Sequence, residues 1–504
     1  VTQSLVENLQ RSAARYVDRC AIEAGDACID YGTLWRRVVA AADFLARQGL
    51  APGDRVAIAL PNNIEYVVAY YGALLAGAVA VPLNTAAKAH DLATWIEHSQ
   101  ARWLLGDARN PEVRGSLERL AAPPTVVLAG EANGAIPSFE QISTPGEATS
   151  GFQAPAHDRP ATILYTSGTT GRPKGVLLSH SNLGSNAESI ATYLQLTEQD
   201  SIVTFLPFYY SYGSSVLHSH LRVGARLTLE PNFVYPHAVV GSLANKRATG
   251  FAGVPSTFAL MLSRVKLDQY DLSSLRYVTQ AGGPMSQALT EKLCAALPRT
   301  DVIVMYGQTE ATARLTYLPP ADLRRKIGSV GIPIPGVEIE VRTERGIKAA
   351  VDEVGEVWAR GPNIMLGYWR DEETTRSVLR DGWLKTGDMG YLDSDGYLYL
   401  KGRRSDIIKV GAHRIHPKEV EEVVAEFPGV QEVAAVGVDD EMLGQVIKVF
   451  VVPAPESNVT ALQIQGHCRG RLANYKVPKF VEFVSSLPKT ASGKVLRAQL
   501  TKGV

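Results

Sequence analysis

No sign of charge prevails in this chain: Lys plus Arg and Asp plus Glu each number 51, for a formal net charge of zero. Without a cationic excess there is no field to hold nucleic acid or an anionic membrane surface, so neither is an expected partner. Cysteine is scarce. Cys20, Cys28, Cys294 and Cys468 form no CxxC pair and join no histidine at zinc-ligand spacing, so all four are expected to be reduced and structural, in a cytoplasmic protein. The N-terminus carries Glu7 early and lacks a basic stretch followed by an apolar one, so it does not read as a secretion signal. Internal repeats and low-complexity tails are missing as well. Residues 66–87 have no charge and are long enough to raise the question of a membrane span, but Gly77 and Pro82 interrupt them. That run reads instead as a core helix followed by a short buried strand. His218 with His220, and His413 with His416, have no further ligands nearby, which favours structural or substrate-contact roles over a metal site.

What is present is a long chain with the texture of a soluble globular protein: 504 residues, 45% of them hydrophobic. That length divides into at least two domains. Short apolar strands are predicted at 56–60, 78–81, 103–105, 126–128, 162–165, 202–206, 226–229, 277–280 and 302–305, with helices at 31–48, 64–76, 237–246 and 286–297. Such alternation implies an α/β fold of mostly parallel sheets covered by helices. From about residue 337 the strands alternate or turn tightly in an antiparallel manner, which predicts a small β-barrel-like subdomain over 337–403. The large domain is thus expected over 1–403, and a compact α+β C-terminal domain over 404–504.

The densest chemistry lies in Tyr165-Thr166-Ser167-Gly168-Thr169-Thr170-Gly171-Arg172-Pro173-Lys174-Gly175. Glycines allow close backbone approach to an anion, the hydroxyls of Ser167, Thr169 and Thr170 can donate to phosphate oxygens, and Lys174 adds a compact positive charge. A predicted strand feeds the segment, so it reads as an ATP phosphate loop rather than a surface turn. It is not the familiar nucleotide loop, in which lysine directly follows the last glycine and a Ser or Thr comes next.

The loop resembles the signature of the adenylate-forming superfamily, and the resemblance continues in chain order over essentially the whole sequence. It runs through Gly282-Gly283-Pro284, Tyr306-Gly307-Gln308-Thr309-Glu310, Gly355-Glu356-Val357, Lys385-Thr386-Gly387-Asp388, Gly402-Arg403, the stretch from Gly411 to Pro417, and Pro488-Lys489-Thr490-Ala491-Ser492-Gly493-Lys494. The resemblance implies an AMP-forming ligase of acyl-CoA synthetase type. By it, the loop from Thr166 to Lys174 holds the β and γ phosphates of ATP and Glu310 is the Mg²⁺ carboxylate. Tyr306 stacks on adenine, with Gly282, Gly283 and Pro284 as the opposite wall. Asp388 accepts the ribose hydroxyls beside Arg403. Lys494, carried on a mobile C-terminal lid, enters between substrate carboxylate and α-phosphate, where it offsets the negative charges that meet there.

The same resemblance places the hinge at Ser405, where many relatives carry Asp or Lys, and lines a pantetheine tunnel with Lys409 and the loop around Gly411. The acyl pocket is expected from Tyr209, Tyr210, Ser211, Tyr212 and Gly213, together with Gly282. Three tyrosines there give an amphipathic aromatic wall, and Tyr210 stands where many relatives have His. Ser211 falls where amino-acid-activating relatives place an Asp, and a buried ammonium without a counter-charge is costly; that argues against an ordinary α-amino acid. The expected partners are a small carboxylic acid and coenzyme A. The phosphopantetheine of a separate carrier protein is the alternative acceptor, and an inactive nucleotide-binding scaffold is the reading of a different class.

Overall fold

A computed structural model describes residues 4–129, 139–144, 152, 154–166, 174–410, 413–440, 443–455, 457–489 and 495–501. Two large sheets dominate the first three quarters of the chain. In the nine-stranded sheet, Asp301–Tyr306, Tyr277–Gln280, Gly250–Gly253, Ser201–Thr204, Arg226–Leu229 and Cys20–Ala24 run parallel, and antiparallel strands close each edge. In the seven-stranded sheet, Pro160–Thr166, Val79–Pro82, Arg55–Ala59, Trp103–Asp107 and Thr125–Ala129 are parallel. Lys174–Ser179 folds back antiparallel on Pro160–Thr166, and Gly367–Tyr368 adds to its far side.

Helix Ile64–Leu75 is buried at nearly every position, and helix Ser211–Val223 at most of its own. A helix that is apolar or small on every face belongs in a core. This explains the uncharged run at 66–87 without a membrane, and among the described residues no helix is long and apolar enough to cross one. The carboxyl ends of the two sheets meet through Asn62, whose Nδ2 donates to the Leu206 carbonyl at 2.8 Å and whose Oδ1 accepts from the Phe208 N–H at 3.0 Å. Loops at such strand ends are the usual ligand sites of α/β proteins.

The third sheet is antiparallel and built on the long strand Trp383–Leu392, which pairs with Gly355–Arg360 on one side and Leu398–Arg403 on the other. The fourth contains only residues from Ile408 to Phe483, with helices Pro417–Ala425 and Ala461–Arg469 packed against it. Its core, with Ile408, Val420, Val449 and Ile464, is separate from that of the large sheets.

One expectation is corrected. Cys20 and Cys28 are joined in a disulfide, Cα atoms 6.2 Å apart, across the hairpin of Cys20–Ala24 and Ala27–Asp30. Their register is offset by a bulge between Cys20 and Ile22, a feature that residue spacing does not reveal. Cys294 and Cys468 are free.

His218 and His220 lie in the core. His218 is flanked by Tyr70 and Tyr71, and His220 Nε2 lies 2.7 Å from the Tyr277 hydroxyl. Burial lowers His218 to about 3 and His220 to about 4. Below pH 6.5 the unfolded chain takes up protons that the folded one refuses, so stability is full above that pH and falls as pH drops toward 4. The expected slope is about 1.4 kcal/mol per pH unit for each histidine. Chemical denaturation at pH 7, 6, 5 and 4 checks this: replacing both by glutamine should flatten the acid limb, and an unchanged limb would contradict it.

Candidate active site

Asp388 and Arg403 face each other because strands Trp383–Leu392 and Leu398–Arg403 pair with these two residues in register. Arg403 Nε lies 2.7 Å from Asp388 Oδ1. The Tyr306 hydroxyl, from the end of Asp301–Tyr306, donates to Asp388 Oδ2 at 2.5 Å. Thr386 Oγ1 accepts the Asp388 N–H at 3.1 Å and anchors the turn. Both carboxylate oxygens therefore have a donor, with lone pairs left for others. Burial, then the Asp388 charge, raises the Tyr306 phenol well above its ordinary range, so it stays a neutral donor. Burial opposes the Arg403 charge, yet Asp388, Tyr306, Glu310 and Asp406 outweigh it and hold the guanidinium above its usual value.

Glu310 sits in the single 3₁₀ turn Thr309–Ala311 that follows Tyr306. The chain doubles back so closely that a Cβ on Gly307 would lie 2.0 Å from the Ala313 carbonyl oxygen, and only glycine fits. Thr312 and Ala313 pay for this turn with φ angles of 59° and 115°, and such strain in non-glycine residues concentrates at functional sites. The Tyr368 hydroxyl donates to Glu310 Oε1 at 2.8 Å. Lys174 Nζ stands 5.6 Å from the Tyr368 ring centroid, a cation–π contact. Lys174, Tyr368 and Glu310 thus form one row, tied to the Asp388 group because Tyr306, which holds Asp388, and Glu310 stand on the same short segment. Thr166 ends the strand that runs beside Lys174.

On the nine-stranded sheet, Gln280 Nε2 donates to the Gly283 carbonyl at 2.8 Å, and Gly282 turns with φ 86° between them. Gly282 and Pro284 are exposed. Gln280 Oε1 and Gln308 Nε2 are buried without a protein partner. An acceptor and a donor left open beside adjacent parallel strand ends suit a heterocyclic base with both functions on its edge. The acyl-wall candidates gather across from them. The Tyr209 and Tyr210 rings lie 4.6 Å apart and are half-buried. Ser211 Oγ lies 3.3 Å from Thr309 Oγ1, and the Tyr212 hydroxyl donates to the Thr279 carbonyl at 2.9 Å. A Cβ on Gly213 would lie 2.3 Å from the Pro207 carbonyl oxygen, so this glycine lets the helix start against the turn before it.

Ser167, Gly168, Thr169, Thr170, Gly171, Gly411 and Lys494 fall outside the described residues, as does the Ser405 side chain. Ser405 itself lies in the short turn Arg404–Asp406. Lys409 is exposed on Ile408–Val410, its N–H donating to Gln445 Oε1 at 2.9 Å. Two site residues escaped the sequence reading, Tyr368 and Gln280. Tyr368 reaches Glu310 only because Gly367–Tyr368 pairs with a strand nearly two hundred positions earlier, and no local pattern signals that.

The profile of the AMP-binding enzyme family matches residues 9–369, and that of the AMP-binding enzyme C-terminal domain matches residues 419–494. The chain belongs to this family. Among its relatives, the long-chain-fatty-acid–CoA ligase of Bacillus subtilis is 32% identical, over 99% of this chain and 94% of its own. This AMP-binding enzyme also superposes on a crystal structure of an anthranilate CoA ligase in complex with anthranoyl-AMP, with a TM-score of 0.92 and 28% identity over 99% and 96% of the two chains. The o-succinylbenzoate coenzyme A synthetase of Bacillus subtilis, in complex with ATP and magnesium ion, gives a TM-score of 0.87 at 32% identity over 99% of both chains.

Proposed function

We propose that the cleft bounded by Lys174, Glu310, Asp388 and the turn at Tyr209–Gly213 binds ATP beside a carboxylic acid. The protein is an ATP-dependent, AMP-forming acid–thiol ligase of acyl-CoA synthetase type. A carboxylate oxygen of the acid attacks the α-phosphorus, the bond to the bridging oxygen breaks and pyrophosphate leaves. The thiolate of coenzyme A then attacks the acyl carbon and AMP departs. Adenylation demands positioning and charge stabilisation rather than covalent help from the protein.

In this reading Asp388 takes the ribose hydroxyls on its remaining lone pairs, while Arg403 and Tyr306 hold it in place. Gln280 and Gln308 offer their open polar atoms to adenine. Thr166 and Lys174 flank the phosphates. Glu310 presents a hard oxygen ligand, oriented by Tyr368. The described residues include no cluster of three or more His, Cys, Asp or Glu fit to hold a metal; a lone carboxylate suits a cation whose other ligands are phosphate oxygens and water. Mg²⁺ held there would withdraw charge from the phosphates.

We place the domain division after Arg403, with Ser405 as hinge. Two contacts that cross it are polar and partly exposed: Arg404 Nη1 to Glu356 Oε2 at 3.2 Å, and Lys418 Nζ to the Leu400 carbonyl at 3.1 Å. Such contacts part at little cost, which supports a lid able to swing Lys494 in for adenylation and out for thiol entry. A cytoplasmic location fits the supply of ATP and coenzyme A.

The observation that carries this reading is the convergence of three sheets on one row of charges, from Lys174 through Glu310 to Arg403 and Asp388. Acid-dependent ATP–pyrophosphate exchange is the expected activity, followed by AMP release and loss of free coenzyme A thiol. No exchange across a broad panel of acids would refute it; consumption of a carrier protein's thiol instead of coenzyme A would reassign the acceptor.

A further inference from the structure

A helix leaves its last carbonyls without partners inside itself. At the end of helix Ala89–Ser99, whose cap is Gln100, two side chains from elsewhere in the chain fill this need. Trp369 Nε1 donates to the His98 carbonyl at 3.2 Å, Arg55 Nε to that of Ser99 at 3.0 Å and Arg55 Nη2 to that of Gln100 at 2.9 Å. The Arg55 guanidinium carbon also stands 5.5 Å from the centroid of the Trp369 ring, a cation–π contact at the negative end of the helix. The half-buried Trp369 ring is therefore fixed by a directed bond as well as by packing.

The same helix grips a second point. The Tyr165 hydroxyl donates to the Trp95 carbonyl at 3.2 Å and lies 2.9 Å from His98 Nδ1, and its ring stacks on that of Trp95 with centroids 5.8 Å apart. Between Tyr165 and Trp369 sits Gly175, paired with Tyr165 in register and accepting the Trp369 N–H on its carbonyl at 2.7 Å. A Cβ on Gly175 would lie 3.4 Å from Trp369 Cβ and 3.4 Å from Tyr165 Cε1, so the three residues abut. Each is the chain neighbour of a residue in the proposed site: Thr166, Lys174 and Tyr368. Successive side chains of an extended segment point to opposite faces, so with Trp369 turned to the helix, Tyr368 is turned to Glu310. Burial, then the Glu310 charge, raises the Tyr368 phenol, which stays protonated and able to donate.

We infer that Trp369 is a positioning residue: anchored on the end of helix Ala89–Ser99, it fixes the Tyr368 hydroxyl and so the Glu310 carboxylate that receives it. Trp369 acts only through Tyr368. The orientation of a carboxylate by its own hydrogen-bond donor governs how well it serves a metal, so the residue matters to ATP bound with Mg²⁺ and not to the acid. This assignment rests on the ligase reading above, in which Glu310 is the metal ligand.

The test is calorimetry of ATP binding to the whole protein, with Mg²⁺ and again in EDTA. Trp369→Phe keeps a ring beside Arg55 and loses the indole N–H. It should weaken binding of ATP with Mg²⁺ by about 3- to 10-fold, and leave both binding in EDTA and the KM for acid in pyrophosphate exchange unchanged. Tyr368→Phe should weaken binding with Mg²⁺ by about 10-fold or more, and adding Trp369→Phe to it should bring no further loss, since both act through one hydroxyl. An unchanged affinity, a loss equal with and without Mg²⁺, or additive losses in the double variant would make Trp369 structural and overturn the inference. Should Trp369→Phe fail to fold, Arg55→Lys, which cannot hold both the Ser99 and Gln100 carbonyls, decides by the same readings with a shift of about 2-fold. Wild-type protein that binds ATP equally with and without Mg²⁺ would overturn this inference and the metal role of Glu310, leaving the ligase reading to the exchange assay. No ATP binding at all would overturn that reading as well.

Discussion

Lys494→Ala is expected to cut acid-dependent ATP–pyrophosphate exchange by at least about 100-fold while retaining thioester formation from supplied acyl-adenylate and coenzyme A. The two half reactions separate because charge neutralisation between carboxylate and α-phosphate is needed only while those anions meet. Thiol attack on an acyl-adenylate has no such encounter to overcome. The truncation should not disturb the fold. The residues bracketing 490–494 are pinned independently: Lys489 pairs with Val495 in an antiparallel bridge, the Leu496 N–H donates to the Pro488 carbonyl at 2.8 Å, and Lys489 Nζ reaches Glu432 Oε1 at 2.8 Å. Leu487 and Leu500 on either side are buried against Val436 and Phe450. Stopped-flow or quenched assays of each half reaction decide the matter, and an equal loss in both would remove the role assigned to Lys494.

The second large effect is expected from Asp388→Ala. It leaves the buried Tyr306 hydroxyl without its acceptor and the partly exposed Arg403 without its counter-charge, which together cost about 1 to 3 kcal/mol of stability. It also removes the proposed ribose acceptor, so the ATP dissociation constant should rise by about 100-fold or more, two or more charge-assisted hydrogen bonds being lost. Asp388→Asn separates the two effects. It keeps the volume and one acceptor for Tyr306, so it should recover much of the melting temperature and little of the ATP affinity. ATP binding by Asp388→Ala at wild-type strength, measured by calorimetry, would show that the carboxylate serves the fold alone.

The route from residues to fold was direct where chemistry is local. Alternating apolar strands and helices predicted 31–48, 64–76 and 226–229 nearly as they stand, because helix and strand periods express burial on one side or on all sides. The proposed phosphate loop stands out in the sequence for the same reason, as a run of adjacent residues whose joint chemistry has few other uses; its residues 167–173 lie outside the described ones. Short strands such as Thr316–Tyr317, Ile332–Pro333 and Gly367–Tyr368, each two residues long, carry too little pattern to announce themselves. Yet Gly367–Tyr368 is the one that delivers a hydroxyl to Glu310. The disulfide of Cys20 with Cys28 crosses a hairpin whose bulge residue spacing does not reveal, and Arg314 looks like any other arginine until its burial is known.

The linear chain by itself determined the class of protein and the kind of reaction: a hydroxyl- and glycine-rich loop, an acidic residue in Tyr306–Glu310, Asp388 and a lysine near the end, in that order. Only tertiary structure decided which of these groups share a field and which polar atoms, among the described residues, are buried without a hydrogen-bond partner. The reason is physical. Intrinsic chemistry and periodicity are carried by neighbours along the chain, whereas desolvation and Coulomb coupling depend on distance in space, and that distance is set by strand pairings between residues far apart in sequence.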